Sequence, residues 1–241
     1  MYSKLELGTI LHNGTEKNPF FKFEVQDHFP FDPPGEIDFG NSLNGPSNMK
    51  WVIVNNKLIA DRVFIHTVSF RDLQGLNLFR GRRVVIDGQK YRIRMLMDLD
   101  EWLTALDAIG ENNLVWHGER QSSFLQQPAP EPGMACCTGL RRLNSVEMVT
   151  QDSRQQNVGW RPVLESLGPD FSKLEIGHKI LCWGGKSLVN GILLENGTYD
   201  LVVQRQDGTN ISTKDAKTFA SPAMGDKVIV NKAAVAGLKG F

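Results

Sequence analysis

Apolar residues fall in short runs separated by turn-forming pairs along most of this chain, and near residue 100 the period changes to helical spacing. Residues 51–60 read Trp-Val-Ile-Val, a polar Asn55-Asn56 pair with Lys57, then Leu-Ile-Ala, which predicts two short strands joined by a turn. A further β-rich run covers 63–70, and Ser69 stands where it can cap a short helical turn. Segments 84–86 and 90–97 flank Asp87-Gly88, a pair suited to the positive φ angles of a tight hairpin. In the second arm Tyr91, Ile93, Met95 and Met97 share one face, and Arg92, Arg94 and Leu96 share the other. Trp102, Leu103, Leu106 and Ile109 then recur at helical spacing, with Asp98 or Asp100 as N-cap and Gly110 past the end.

Regular pattern thins out between residues 111 and 158. The stretch 128–133, Pro-Ala-Pro-Glu-Pro-Gly, is a loop by composition, and 143–150 and 159–165 read as strands. Leu114, Val115, Trp116, Phe124 and Leu125 predict that this region packs rather than floats. A boundary falls at 167–170, Leu-Gly-Pro-Asp. Beyond it short strands recur about every ten residues between glycine-containing turns, which predicts a small all-β barrel or sandwich over 172–241. Within residues 1–50, the stretch 18–35 mixes five phenylalanines (Phe20, Phe21, Phe23, Phe29, Phe31) with prolines and shows neither period. Residues 1–50 read as an irregular arm that packs, either on its own domain or on a neighbouring subunit. The expected organisation is therefore an arm over 1–50, an α+β domain over 51–166 and a small all-β module over 172–241.

Charge narrows the partners. Lys+Arg and Asp+Glu both number 27, so no net basic footprint points to nucleic acid, and little self-repulsion opposes assembly with copies of the same chain. The first seven residues lack the apolar core of an export signal, and no window holds the roughly 18 apolar residues of a membrane span. Cys136 and Cys137 are adjacent and would face opposite sides of an extended chain, and Cys182 is remote. A disulfide framework is not expected, and a reducing compartment is.

Several stretches carry a resemblance: residues 88–96, Gly-Gln-Lys-Tyr-Arg-Ile-Arg-Met-Leu; the Glu101-Trp102-Leu103 segment; and residues 159–164, Gly-Trp-Arg-Pro-Val-Leu. Together they make residues 84–165 resemble C-type-lectin-like domains of the branch that includes formylglycine-generating enzymes. They are more similar still to a group of bacterial and phage domains that end in a G-x-R-P-x-L strand. Residues 122–127 stand where that group has a W-L-R-S-like loop, without its Trp and Arg. The resemblance implies a loop-rich C-type-lectin-like fold in which first and last strands pair and long loops form a binding face. It also implies a phage setting.

Candidate chemistry is thin. The enzyme relatives use a copper-binding thiol pair, which consecutive cysteines cannot supply. The five histidines are scattered, with no zinc spacing. Asp98, Asp100, Glu101, Asn112 and Asn113 offer oxygens for calcium but match no calcium loop. No nucleophile elbow, P-loop or dinucleotide fingerprint occurs. No enzyme activity, metal or cofactor is expected. The candidate ligand or partner surface comprises Trp116, Phe124, Trp160, Arg161, Arg92 and Arg94. Arg161 has two readings, a guanidinium offered to a carboxylate or an internal clamp. The expected function is a non-enzymatic structural component of a phage virion or phage-like particle, such as a decoration, tail or baseplate protein. It would be assembled in the host cytoplasm and docked on other virion proteins and copies of itself, with neither nucleic acid nor membrane as partner. The alternative is a host-adsorption module whose exposed Trp116, Phe124 and Trp160 stack on a cell-surface glycan.

Overall fold

A computed structural model describes residues 4–23, 35–118, 121–139, 142–183, 188–206, 220–222 and 227–238. In chain order the first elements are β1 (Lys4–Glu6), β2 (Thr9–His12), β3 (Thr15–Lys17), β4 (Phe21–Lys22), β5 (Ile37–Gly40), β6 (Lys50–Val54), β7 (Lys57–Ala60) and β8 (Ile65–His66). There follow α1 (Phe70–Gly75), β9 (Arg82–Ile86), β10 (Gln89–Met95), α2 (Leu99–Ile109), α3 (Asn113–Trp116), β11 (Ser122–Pro128), β12 (Met134–Thr138), β13 (Val146–Thr150), β14 (Val158–Trp160) and β15 (Pro162–Ser166). The last part holds β16 (Lys179–Trp183), β17 (Leu188–Asn196), β18 (Asp200–Arg205), β19 (Ala220–Pro222), β20 (Lys227–Asn231) and β21 (Val235–Leu238).

The fold is mostly β, with 48% strand against 13% helix. The strands form three six-stranded sheets, β1-β6-β7-β15-β10-β9, β13-β12-β11-β14-β8-β4 and β19-β20-β18-β17-β16-β21, and a small sheet β3-β2-β5. Three hairpins turn on pairs with positive φ: Asn13-Gly14 (52° and 72°), Asn55-Asn56 (42° and 61°) and Asp87-Gly88 (50° and 74°). Asn, Asp and Gly tolerate that backbone, and its twist matches paired strands.

The middle of the first sheet, over β6, β7 and the start of β15, is buried on both faces. Trp51, Ile53, Leu58, Ala60, Ile93 and Leu164 enter one core, and Val52, Val54, Ile59 and Val163, which alternate with them, enter another beneath α2. The second sheet serves both cores: Phe124 and Cys137 join the first, Leu125 and Cys136 the second. The adjacent thiols do face opposite ways. On α2, Trp102, Ala105 and Leu106 are buried; Asp98 is the N-cap, its side chain accepting from the Glu101 N–H at 2.8 Å, and Gly110 (φ 96°) ends the helix.

Four expectations need correction. Residues 1–50 are not an irregular arm. β1 pairs with β6 (Lys4 opposite Val52), β2 with β5 (Thr9 opposite Gly40), and β4 with β8. Ile10, Phe23, Ile37, Phe39 and Met49 pack in the same core as Trp51 and Trp160. Strands of two to four residues are too short to show a period, and their partners lie far along the chain. Phe29, Phe31, Pro33 and Pro34 lie outside the described residues. Residues 122–127 are not a loop but most of strand β11. The C-terminal segment is not a barrel: its sheet is open, ending on β19 and β21. It has a small core of its own (Ile180, Val189, Leu193, Leu201, Val203, Val230), while Trp183 and Ala236 join the main core. Finally, β10 stops at Met95, and Met97 is exposed.

Candidate functional site

The motif Gly159-Trp160-Arg161-Pro162 marks a change of sheet. Trp160 pairs with Ile65 in the second sheet, and Pro162 lies opposite Met95 in the first. Arg161 sits at the crossing, fully buried. Its Nη1 donates to the Ala60 carbonyl at 2.9 Å, Nη2 to the Trp116 carbonyl at 2.9 Å and Nε to Ser123 Oγ at 3.0 Å. The guanidinium also lies 5.0 Å from the centre of the Trp102 ring. One side chain thus joins β7, α3, β11 and α2. Burial pulls its pKa down, and Asp61 opposes that pull. Of the two readings of Arg161, the geometry is that of the clamp. Pro162 begins its strand, so its missing N–H costs little.

Asp61 lies beside this clamp with its side chain wholly covered. Lys4 Nζ is 3.1 Å away, Arg62 Nε 2.9 Å and His117 Nε2 3.5 Å. Burial pushes the carboxyl pKa up, but the bonds and charges of Arg62 and Lys4 outweigh it and hold it below the usual range. A second network surrounds Arg94. Its Nη1 and Nη2 reach the two carboxylate oxygens of Glu101 at 2.8 and 2.6 Å, and Nε and Nη2 reach Glu165 Oε1 at 3.0 and 2.6 Å. Lys57 Nζ adds a contact to Glu101 at 2.6 Å. Against the upward push of burial, Arg94 and Lys57 bring the Glu101 pKa down to about 2.

The predicted surface is therefore mostly interior. Trp116, Phe124 and Trp160 are 0% exposed, and Arg94 and Arg161 are 1% exposed. Trp116 packs edge-on to Trp102, Phe124 edge-on to Phe70, and Trp160 tilts against Phe39. No sugar can stack on these three rings without opening the core. They lie on three different elements, and the structure brings Trp116 and Arg161 together only through the clamp. Arg92 alone reaches solvent.

Three of the five side chains considered for calcium are already engaged. Asp98 caps α2, Asn112 accepts from the Leu114 N–H, and Glu101 holds Arg94. Among the described residues no group of three or more His, Cys, Asp or Glu is placed to hold a metal ion. Burial pushes the Cys137 and Cys182 thiols up to about 12, so they are protonated near neutral pH and poor nucleophiles.

What sequence reasoning missed is a cleft of about 380 Å³ where the first sheet meets the third. Leu5, Leu58 and Tyr91 line one side, and Leu181, Trp183 and Leu188 the other. Asp87 lies in it with both oxygens engaged by Ser42, from the backbone N–H at 2.8 Å and Oγ at 2.5 Å. Burial, aided by Asp87, pushes the Tyr91 phenol up to about 12, so it stays protonated. Among the described residues no His, Cys or Lys lines this cleft. It can enclose an apolar group. No local motif announces it, because its walls come from residues 5 to 238. Comparison with family models, with curated proteins and with solved structures finds no match.

Proposed function

We propose that this protein is a non-enzymatic structural component of a phage virion or phage-like particle that works by docking on other proteins, copies of itself included. The observation that carries the docking role is the use made of Arg161. A fully buried charge is spent on joining four elements, not on a ligand. Arg94, Glu101 and Asp61 are likewise spent internally, as ties between strands and helices. Outside, large apolar side chains stand in water at Leu114 on α3, at Ile176 in a turn and at Tyr199 in a bend, each at least 74% exposed, at separate places where neighbouring proteins have access. The particle setting rests on the resemblance of residues 84–165 to phage domains. The antiparallel pairing of β10 with β15, Tyr91 opposite Ser166 through Met95 opposite Pro162, supports a lectin-like reading of that region, since first and last strands pair in such domains.

Light scattering across a wide range of concentrations tests the proposal. The expected mass is a multiple of the 27.0 kDa chain. A mass of one chain throughout removes self-docking, and a substrate turned over by the purified protein removes the non-enzymatic reading.

A further inference from the structure

We infer that the solvent face of the β9–β10 hairpin is a docking surface for an acidic polypeptide segment. The inference rests on the docking reading above and specifies the partner's chemistry.

In the antiparallel register of this hairpin Arg83 lies directly opposite Arg92, and Val85 opposite Lys90. All four side chains point to solvent, Val85 with 57% exposure. Exposed Arg80 stands just before the hairpin, and its carbonyl accepts from Arg92 Nη2 at 2.7 Å, which brings the two residues together. Against these four cations the described residues set one carboxylate. Glu165 Oε2 lies 4.0 Å from Arg92 Nη1, while Oε1 of the same group is held by buried Arg94. Arg80, Arg83 and Lys90 have no ion pair among the described residues.

Like charges placed directly opposite across two strands repel. Here the repulsion is left standing in a chain whose total charge is zero. A row of carboxylates laid along the hairpin would neutralise it. Val85, set among the cations, gives an apolar side chain of the same segment somewhere to rest. Phosphates would answer the charge but not Val85, and the neutral chain supplies no wider basic field to hold a nucleic acid. An acidic polypeptide with interspersed apolar residues matches both features.

The test is fluorescence anisotropy with a labelled alternating Glu–Val peptide, a short DNA duplex serving as the rival probe. Wild type is expected to bind the peptide, and raising NaCl from about 50 to about 300 mM should weaken binding several-fold. The Arg83→Glu/Arg92→Glu variant should lose roughly tenfold or more in affinity while melting no lower than wild type. Should that variant fail to fold, Arg83→Gln/Lys90→Gln removes two of the cations more gently and should weaken the peptide in the same sense. Unchanged affinity in a folded variant, no peptide binding by wild type, or tighter binding of the duplex each overturns the inference. Light scattering on the same samples keeps the two readings apart. An oligomer that ignores the peptide leaves docking in place and removes this surface; a monomer that binds it does the reverse.

Discussion

Arg94 and Glu101 meet through two parallel hydrogen bonds, of 2.8 and 2.6 Å, that tie β10 to the first turn of α2. Both side chains are less than a tenth exposed, so neither charge has water as an alternative partner. Replacing Glu101 with Gln leaves the guanidinium under-compensated and should cost about 3–5 kcal/mol in urea unfolding. A variant within about 0.5 kcal/mol of wild type would show that the pair is not coupled to folding.

The same carboxylate sets an acid limit. Its folded pKa of about 2 lies below the ordinary unfolded value of about 4.3. Between those values the unfolded chain binds more protons, so stability falls as pH drops from about 4.3 toward 2 and is fully present above that window. Denaturant midpoints measured from pH 6 down to pH 2 should show this slope in wild type, and a shallower one in Glu101→Gln.

Arg161 serves three acceptors in different directions, which a lysine ammonium on a flexible stem cannot reproduce. Arg161→Lys is expected to destabilise by about 2 kcal/mol or more despite keeping the charge. Full stability in the lysine variant would mean that the charge alone matters at the crossing.

The N-terminal fifty residues are structural here, and their removal tests that. A chain starting at Trp51 lacks β1, β2 and β5 and exposes the core faces that Ile10, Ile37, Phe39 and Met49 cover. Its thermal transition should be lost or broadened, with an apolar dye bound at room temperature. A milder probe is the pair Asn13→Ala and Asn13→Gly: both lose the bond that Asn13 Oδ1 accepts from the Glu36 N–H at 2.8 Å, and alanine, poorly suited to φ 52°, should cost about 1 kcal/mol more than glycine. A folded truncation would restore the arm.

Thiol labelling at mildly alkaline pH should report opening, not surface reactivity, because all three cysteines are buried. Cys182 belongs to the smaller core and Cys137 to the larger. Cys182 is expected to label first as urea rises, followed in a Cys136→Ser/Cys137→Ser variant. Simultaneous labelling would mean that the two cores open as one unit.

Local pattern made several elements legible. The hairpins at Asn55-Asn56 and Asp87-Gly88, the capped helix from Asp98 to Gly110 and the opposed thiols all depend on neighbours within a few residues, and periodicity reports that range. It did not report strands too short for a period, nor the pairing of Lys4 with Val52 or of Thr9 with Gly40, nor the cleft assembled from both ends of the chain.

Arg92 and Arg94 show where that limit lies. Two apart in one strand, they occupy the same face in sequence and carry the same chemistry. In the fold Arg92 keeps 47% of its side chain in water and Arg94 keeps 1%. The strand pattern determined which way both point. Only the packing of α2, which lowers Glu101 onto one and leaves the other half in water, decided which became a tie in the interior and which a charge facing solvent. Alternation specifies direction; burial depends on what distant elements cover, and that information is not local.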